Sequence, residues 1–173
     1  ITDTATVSLS QASLIYEVND MIPLHEGNTA LALTMEGTGG PSSVFVTVGL
    51  LEVDDHLNII LNKKFNSTNF EENPFTNIRL AEAPSGNIYF TYRIGTGSTG
   101  IGKLSVMKIR KGIYQPQYII NYAEDTMRNP EGIAIDKNEN VHVVSCDNLY
   151  NQLPMGISNM YLSYLPNEWL TFG

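Results

Sequence analysis

Short apolar runs alternate along the chain with polar turns bearing Gly and Asn, and one succession of them occurs three times. Its clearest copy runs from Asn129 to Asp147. There Gly132-Ile133-Ala134-Ile135-Asp136 is β-prone, Lys137 to Asn140 supply turn chemistry, and Val141-His142-Val143-Val144 is β-branched around one His, a pattern that predicts a β-hairpin. Setting Asn28, Asn87 and Asn140 in register gives separations of 59 (28 to 87) and 53 (87 to 140), periods expected of propeller blades. An apolar run precedes each turn (Met21 to Leu24, Ile78 to Ala81, Ile133 to Ile135) and a second follows it (TALALTM, IYFTYRI, VHVVSCD). After a polar, Gly-rich gap come a third run, from Val44, Lys103 and Ile157, and a fourth, LNIILNK, QYIINYA and EWLTFG. Each unit is therefore expected to be a four-stranded antiparallel meander.

The expected fold class is all-β, a propeller segment of about three and a half blades in one domain. Residues 21–74, 75–128 and 129–173 form its full blades. Residues 1–20 form a half blade, because Ala5 to Ser10 and Ser13 to Val18 match third and fourth strands whose first two are missing. An open ring leaves sheet faces and edges in water. The expected partner is thus another polypeptide segment or subunit that completes the ring: a neighbouring stretch of a longer chain, or a second copy joined head to tail. A chain that starts at Ile1 is expected to be processed or to be a piece of something longer. Gly132, placed where the first strand enters a crowded axis, is expected to resist valine, whereas Gly97 in a loop should accept it.

Asn129-Pro130-Glu131-Gly132-Ile133-Ala134-Ile135-Asp136, followed by Asn140-Val141-His142-Val143, resembles the P-x-G-I-A-V-D-x-x-G-N-I-Y-V signature of NHL-type repeats. The middle unit keeps Ala83-Pro84-Ser85-Gly86-Asn87-Ile88-Tyr89-Phe90. The pattern departs at Glu139, where the turn Gly of the repeat is expected, and at Cys146 to Leu149, which replace the usual acidic-Asn-Arg continuation. The resemblance implies a six-bladed propeller fold. Its lactonase- and lyase-like relatives imply an alternative activity, with a cation such as calcium held in the central channel by oxygen ligands. Glu82, Asn129 and Glu131, on or just before first strands, are the candidate ligands.

Composition narrows the remaining choices. At 42% hydrophobic and 16% charged, with 14 Gly, 8 Pro and 9 Tyr, the chain can bury a core, and no stretch keeps helical spacing of apolar residues. No apolar run approaches the roughly 18 residues of a membrane span, so membrane insertion is not expected. A formal charge of -8 argues against nucleic acid, whose phosphates draw on clustered Lys and Arg. Cys146 is the only cysteine, so the chain has no internal disulfide.

Several apparent motifs lack the context their chemistry needs. Gly95 to Gly100 spells G-x-G-x-x-G, yet the run after it is KLSVMKIRK, a strand rather than the helix whose amides would face phosphate. His25, His56 and His142 stand in different units without helical pairing. Asp54-Asp55-His56 falls at a turn that favours Asp for local hydrogen bonding. Asn66-Ser67-Thr68 is a formal glycosylation sequon that matters only in a secretory pathway.

Loop length supplies the functional expectation. Turns joining first to second and third to fourth strands are short, whereas the opposite connections, 37–43, 66–76, 95–102, 124–129 and 148–156, are mostly long. Long loops on a rigid scaffold usually carry binding. Gly37, Gly39, Gly97, Ser98, Thr99, Glu124, Asp125, Asn148, Tyr150 and Asn151 are therefore the expected binding-face residues. With no catalytic constellation in the sequence, the expected role is a non-catalytic module contacting protein or glycan in an extracellular, cell-surface or virion assembly.

Overall fold

Four short turns share one geometry, and they set the frame of the molecule. In the computed structural model, which describes residues 15–38, 44–65, 75–95, 102–126, 128–147 and 159–170, the Leu24 amide donates to the Asn28 carbonyl at 2.8 Å and the Leu24 carbonyl accepts from Gly27 at 2.9 Å. The same two bonds recur at Asp54 with Asn58 and Leu57, Ala83 with Asn87 and Gly86, and Asp136 with Asn140 and Glu139. The residue before each Asn is left-handed: Gly27 (φ 91), Leu57 (φ 64), Gly86 (φ 81) and Glu139 (φ 62). This is the three-residue hairpin, a β-turn followed by a left-handed bulge residue.

Strands β1 (Ile15–Pro23), β2 (Thr29–Thr38), β3 (Val44–Val53) and β4 (Ile59–Phe65) form the first sheet in chain order. Strands β5 (Phe75–Glu82), β6 (Ile88–Gly95), β7 (Gly102–Ile109) and β8 (Pro116–Thr126) form the second. The third has β9 (Arg128–Ile135), β10 (Val141–Asp147) and β11 (Met160–Leu165). All the pairings are antiparallel. The three repeated units are thus three antiparallel sheets of four, four and three strands.

Two expected strands differ. Ser13 to Val18 was expected to close a half blade, but Ile15–Pro23 is one continuous strand, with Ile15 opposite Met35 and Pro23 opposite Thr29. Register shifts at Glu17 and Asp20 carry it through its polar centre. Ala5 to Ser10 lies outside the described residues. The run EWLTFG was expected as a fourth strand, yet Asn167–Leu170 is a 3-10 turn. Pro166 has no amide to extend the ladder, its carbonyl accepts from the Trp169 amide at 3.0 Å, and Leu170 is buried in the core. This turn is the only helical segment among the described residues, and no described helix is long and apolar enough to cross a membrane.

Two apolar layers join the sheets. Ala30, Ala32, Val48, Leu50 and Phe65 of the first sheet meet Ile78, Leu80, Ile88, Phe90, Tyr92, Met107 and Ile109 of the second. On the other face of the second sheet, Tyr89 and Val106 meet Val141, Val143 and Leu165 of the third, with Ala83 and Leu170 in the same cluster. Counting from the turn Asn explains the alternation. Even positions of a second strand (Ala30 and Ala32; Tyr89) point to the following sheet, and odd positions (Ile88, Phe90 and Tyr92; Val141 and Val143) to the preceding one. Slipping a strand by one residue would exchange these faces.

Gly132 does not meet the crowding expected of it: a Cβ built there has no neighbour within 4 Å, and its φ is not left-handed. Overpacking therefore does not arise. Gly132→Ala is expected to be neutral or to stabilise by up to about 1 kcal/mol, since strand glycine carries an entropy cost. Gly86→Ala is expected to cost about 1 to 2 kcal/mol, because its φ is 81 and the added Cβ would lie 2.5 Å from Lys111 Cδ. Urea unfolding of both variants is the check, and equal costs would refute the distinction. Gly97 lies outside the described residues.

Candidate functional site

The turn Asn residues do more than close hairpins. Asn28 Nδ2 donates to Glu52 Oε1 at 3.0 Å, Asn87 Oδ1 accepts from the Lys111 amide at 3.1 Å, and Asn140 Oδ1 accepts from the Asn167 amide at 3.0 Å. Each Asn ties the first turn of its sheet to the end of the third strand or just beyond it. Spacing in the sequence located these three residues, and this clamp is the physical role they share.

Asp54 and Asp136, each four residues before the Asn that ends its turn, brace their turns from within. One oxygen of Asp54 accepts from the amides of His56 and Asn58, and the other from Asn58 Nδ2 at 2.9 Å. Asp136 does this with Asn138 and Asn140. Hydrogen bonds from the Asn140 side chain, then from the Asn140 and Asn138 amides and His142, hold the Asp136 carboxyl at about 2, against 3.8 ordinarily. Asp54 is lowered likewise, first by the Asn58 side chain. A depressed folded value means that the contribution of Asp136 is full above about pH 4 and is lost as pH falls through about 2. Melting midpoints measured from pH 6 to pH 2 should fall more for the wild type than for Asp136→Asn. Parallel curves would refute this.

Asp54, Asp55 and His56 also form a group of possible metal-binding atoms within 4.8 Å. The turn hydrogen bonds account for Asp54, and Asp55 and His56 are exposed.

Side chains also hook the first strands together across the sheets. Edge strand β5 is satisfied from β1: the Ile78 amide donates to Asn19 Oδ1 at 3.3 Å and the Leu80 amide to Asp20 Oδ2 at 2.8 Å. Arg79 reaches both ways, to the Asn19 carbonyl and to the carbonyl and carboxylate of Glu131. Polar partners of this kind keep an edge from pairing elsewhere. At the turn end, Glu26 pairs with Lys111. There too the Glu139 carboxylate accepts from Tyr89 Oη at 3.0 Å and Lys108 Nζ at 3.1 Å.

The candidate cation ligands are occupied by these contacts. Glu82 accepts from the His25 amide at 2.7 Å, with His25 Nδ1 at 3.3 Å. Glu131 is paired with Arg79, and Asn129 Oδ1 accepts from Arg93 at 3.3 Å. Each of the three thus serves a side chain or amide of a neighbouring sheet. Among the expected binding-face residues, Gly37 lies within β2, and Glu124 and Asp125 lie within β8, so these strands extend into the expected connections. Gly39, Gly97, Ser98, Thr99, Asn148, Tyr150 and Asn151 are outside the described residues, as is the sequon.

Asn19, Asp20, Arg79, Lys108 and Glu139 were not expected to join sheets. Their signal in the sequence is a polar residue set in or beside an apolar run, and in Glu139 a side chain where glycine is customary. No protein-family model matches the chain, and no curated protein matches it in sequence.

Proposed function

We propose that the three sheets are consecutive blades of a β-propeller related to NHL-type repeats. The chain acts as a non-catalytic binding or structural module, making protein or glycan contacts in an extracellular, cell-surface or virion assembly. The observation that carries this reading is the order of the first strands: β1 lies against β5, β5 lies against β9, and the first and second sheets each pack their even face on the odd face of the next. That is how inner strands gather around an axis while meanders radiate from it. Long connections opposite the clamped turns then supply the contact face.

The test has two arms. The labelled chain is applied to glycan arrays and to immobilised extracellular proteins, and it is assayed for lactone hydrolysis with and without added calcium. Saturable binding without turnover is expected. Calcium-dependent turnover that Glu82→Gln or Glu131→Gln abolishes would overturn the reading in favour of the enzyme.

A further inference from the structure

The layer between the second and third sheets holds a buried cation at each end. Near the short turns, Lys108 is 6% exposed and its ammonium meets the Glu139 carboxylate at 3.1 Å. At the far end, where β6 and β10 run out into long connections, Arg93 is 8% exposed and meets no carboxylate among the described residues. It makes one hydrogen bond, from Nη1 to Asn129 Oδ1 at 3.3 Å, and its Nε is buried without a partner. Arg79 and Arg128, by contrast, have Glu131 and Asp147. Burial draws the pKa of Arg93 down, with no neighbouring charge opposing it, yet a guanidinium keeps its proton. A buried charge in this state is costly until an anion meets it.

Ser145 marks the same end from the third sheet. It continues the buried positions Val141 and Val143 of β10, which face the second sheet, and it precedes Cys146, the residue opposite Asn129 in the ladder. Its side chain is fully buried, and its Oγ also has no hydrogen-bond partner. Two unsatisfied polar groups thus stand at one end of one layer, one from each sheet that forms it. The chain has little of its own to put there. Asp147, two residues beyond Ser145, is taken by Arg128, by Tyr161 Oη at 3.0 Å and by Asn159 Nδ2 at 3.1 Å. The connections 96–101 and 148–158 contain no Asp or Glu. Glu124 and Asp125 belong to β8, which β7 separates from β6.

We propose that the end of this layer marked by Arg93, Asn129 and Ser145 is a binding site for the carboxylate of an acidic sugar. The planar fork of a guanidinium matches the two oxygens of a carboxylate. One positive charge balances a monoanion, whereas a phosphate group of charge about −2 would leave negative charge unpaired in a buried place. A sugar acid carries ring and hydroxyl oxygens close to its carboxylate, and these give Ser145 Oγ a partner. The acidic side chain of a peptide places methylene carbons there instead. This deepens the module reading on its glycan side and rests on it.

The test is an NMR titration of the whole labelled chain with glucuronate and then N-acetylneuraminate, each up to about 50 mM, a span that reaches millimolar sites. The Arg93 Nε–H signal, assigned by its loss in Arg93→Lys, is the readout. One of the two acids is expected to shift it saturably, and the uncharged methyl ester of that acid, like acetate, to bind about tenfold more weakly or not at all. Arg93→Met should abolish saturation at the Asn129 and Ser145 amides, and Ser145→Ala should weaken binding about threefold. Without ligand, Arg93→Met should melt no lower than the wild type, since it removes a charge that nothing in the chain answers. A melting point well below the wild type would mean that the chain itself supplies the counter-charge, which overturns the proposal. So would saturation by neither acid, equal binding of the methyl ester, or binding that Arg93→Met leaves intact. Acetate bound as tightly as the sugar acid, or Ser145→Ala without effect, would overturn the choice of a sugar. Glycan-array binding that survives Arg93→Met would overturn this site while leaving the module reading in place.

Discussion

Phe90→Ala is expected to cost about 4 kcal/mol, the largest loss from a single substitution considered for this protein. Phe90 is fully buried between the first and second sheets, and its ring meets Phe65 edge to face, with centroids 6.0 Å apart. Phe65 and the cross-strand neighbours Leu80 and Met107 are strand residues of the same buried cluster, held in their ladders, so the site has little freedom to collapse around the void. The loss combines the transfer energy of the ring, the cavity left behind and the aromatic contact. Against the roughly 5 to 15 kcal/mol of a whole domain, it would leave the pairing of these sheets marginal. Urea unfolding followed by intrinsic fluorescence is the measurement, with Leu162→Ala as the control. That exposed side chain should change stability by less than about 0.5 kcal/mol. Similar losses at the two positions would mean that the faces of the sheets have been assigned wrongly.

What the sequence made legible follows from how local each signal is. A hairpin is written within a dozen residues, so Asn28, Asn87 and Asn140 could be aligned and the second and third strands located around them. Termini of units depend instead on what packs next to them. Ser13 to Val18 and Met21 to Leu24 look like two runs because Asn19 and Asp20 interrupt the apolar pattern. Those two polar side chains are instead the hooks for the amides of Ile78 and Leu80, so the strand runs through them. Glu168 to Leu170 similarly have strand-like neighbours, but the Asn167 amide is drawn to Asn140, 27 residues earlier, and the chain turns.

The candidate site shows the same division. Acidic residues near first strands could be found by eye, but their partners could not, because His25 and Glu82, or Arg79 and Glu131, lie more than fifty residues apart in the chain. Glu82 and Glu131 are legible as carboxylates. Only the folded geometry tells that each is engaged by a neighbouring sheet. Glu139 is the instructive case, since its departure from a glycine pattern was visible, and the compensation for that departure was not.

Replacing Glu139 tests that compensation. A left-handed conformation at a residue other than glycine costs about 1 to 2 kcal/mol, and Glu139 adopts it with φ 62. Its carboxylate is held by Tyr89 and Lys108, and the Lys108 side chain has almost no access to water. Glu139→Ala keeps the backbone strain and strands a buried ammonium, so a loss of about 3 kcal/mol is expected. Glu139→Gly strands the same ammonium but relieves the strain, and should lose about 1 kcal/mol less. Lys108→Met combined with Glu139→Ala should be milder than the sum of the two single changes by about 2 kcal/mol, because an apolar pair replaces a broken ionic one. Burial pushes the Glu139 carboxyl up, but hydrogen bonds from Ser85, Lys108 and Tyr89 outweigh it and leave the group below its ordinary 4.5. The advantage of the wild type over Glu139→Ala is therefore full above about pH 4.5 and shrinks as pH falls through the lowered value. Urea midpoints at pH 7 and pH 3 for the wild type, Glu139→Ala, Glu139→Gly, Lys108→Met and the double variant measure all of this. If glycine at 139 is no better than alanine, the strain is not there to relieve; if the double change is additive, Lys108 and Glu139 do not act as a pair.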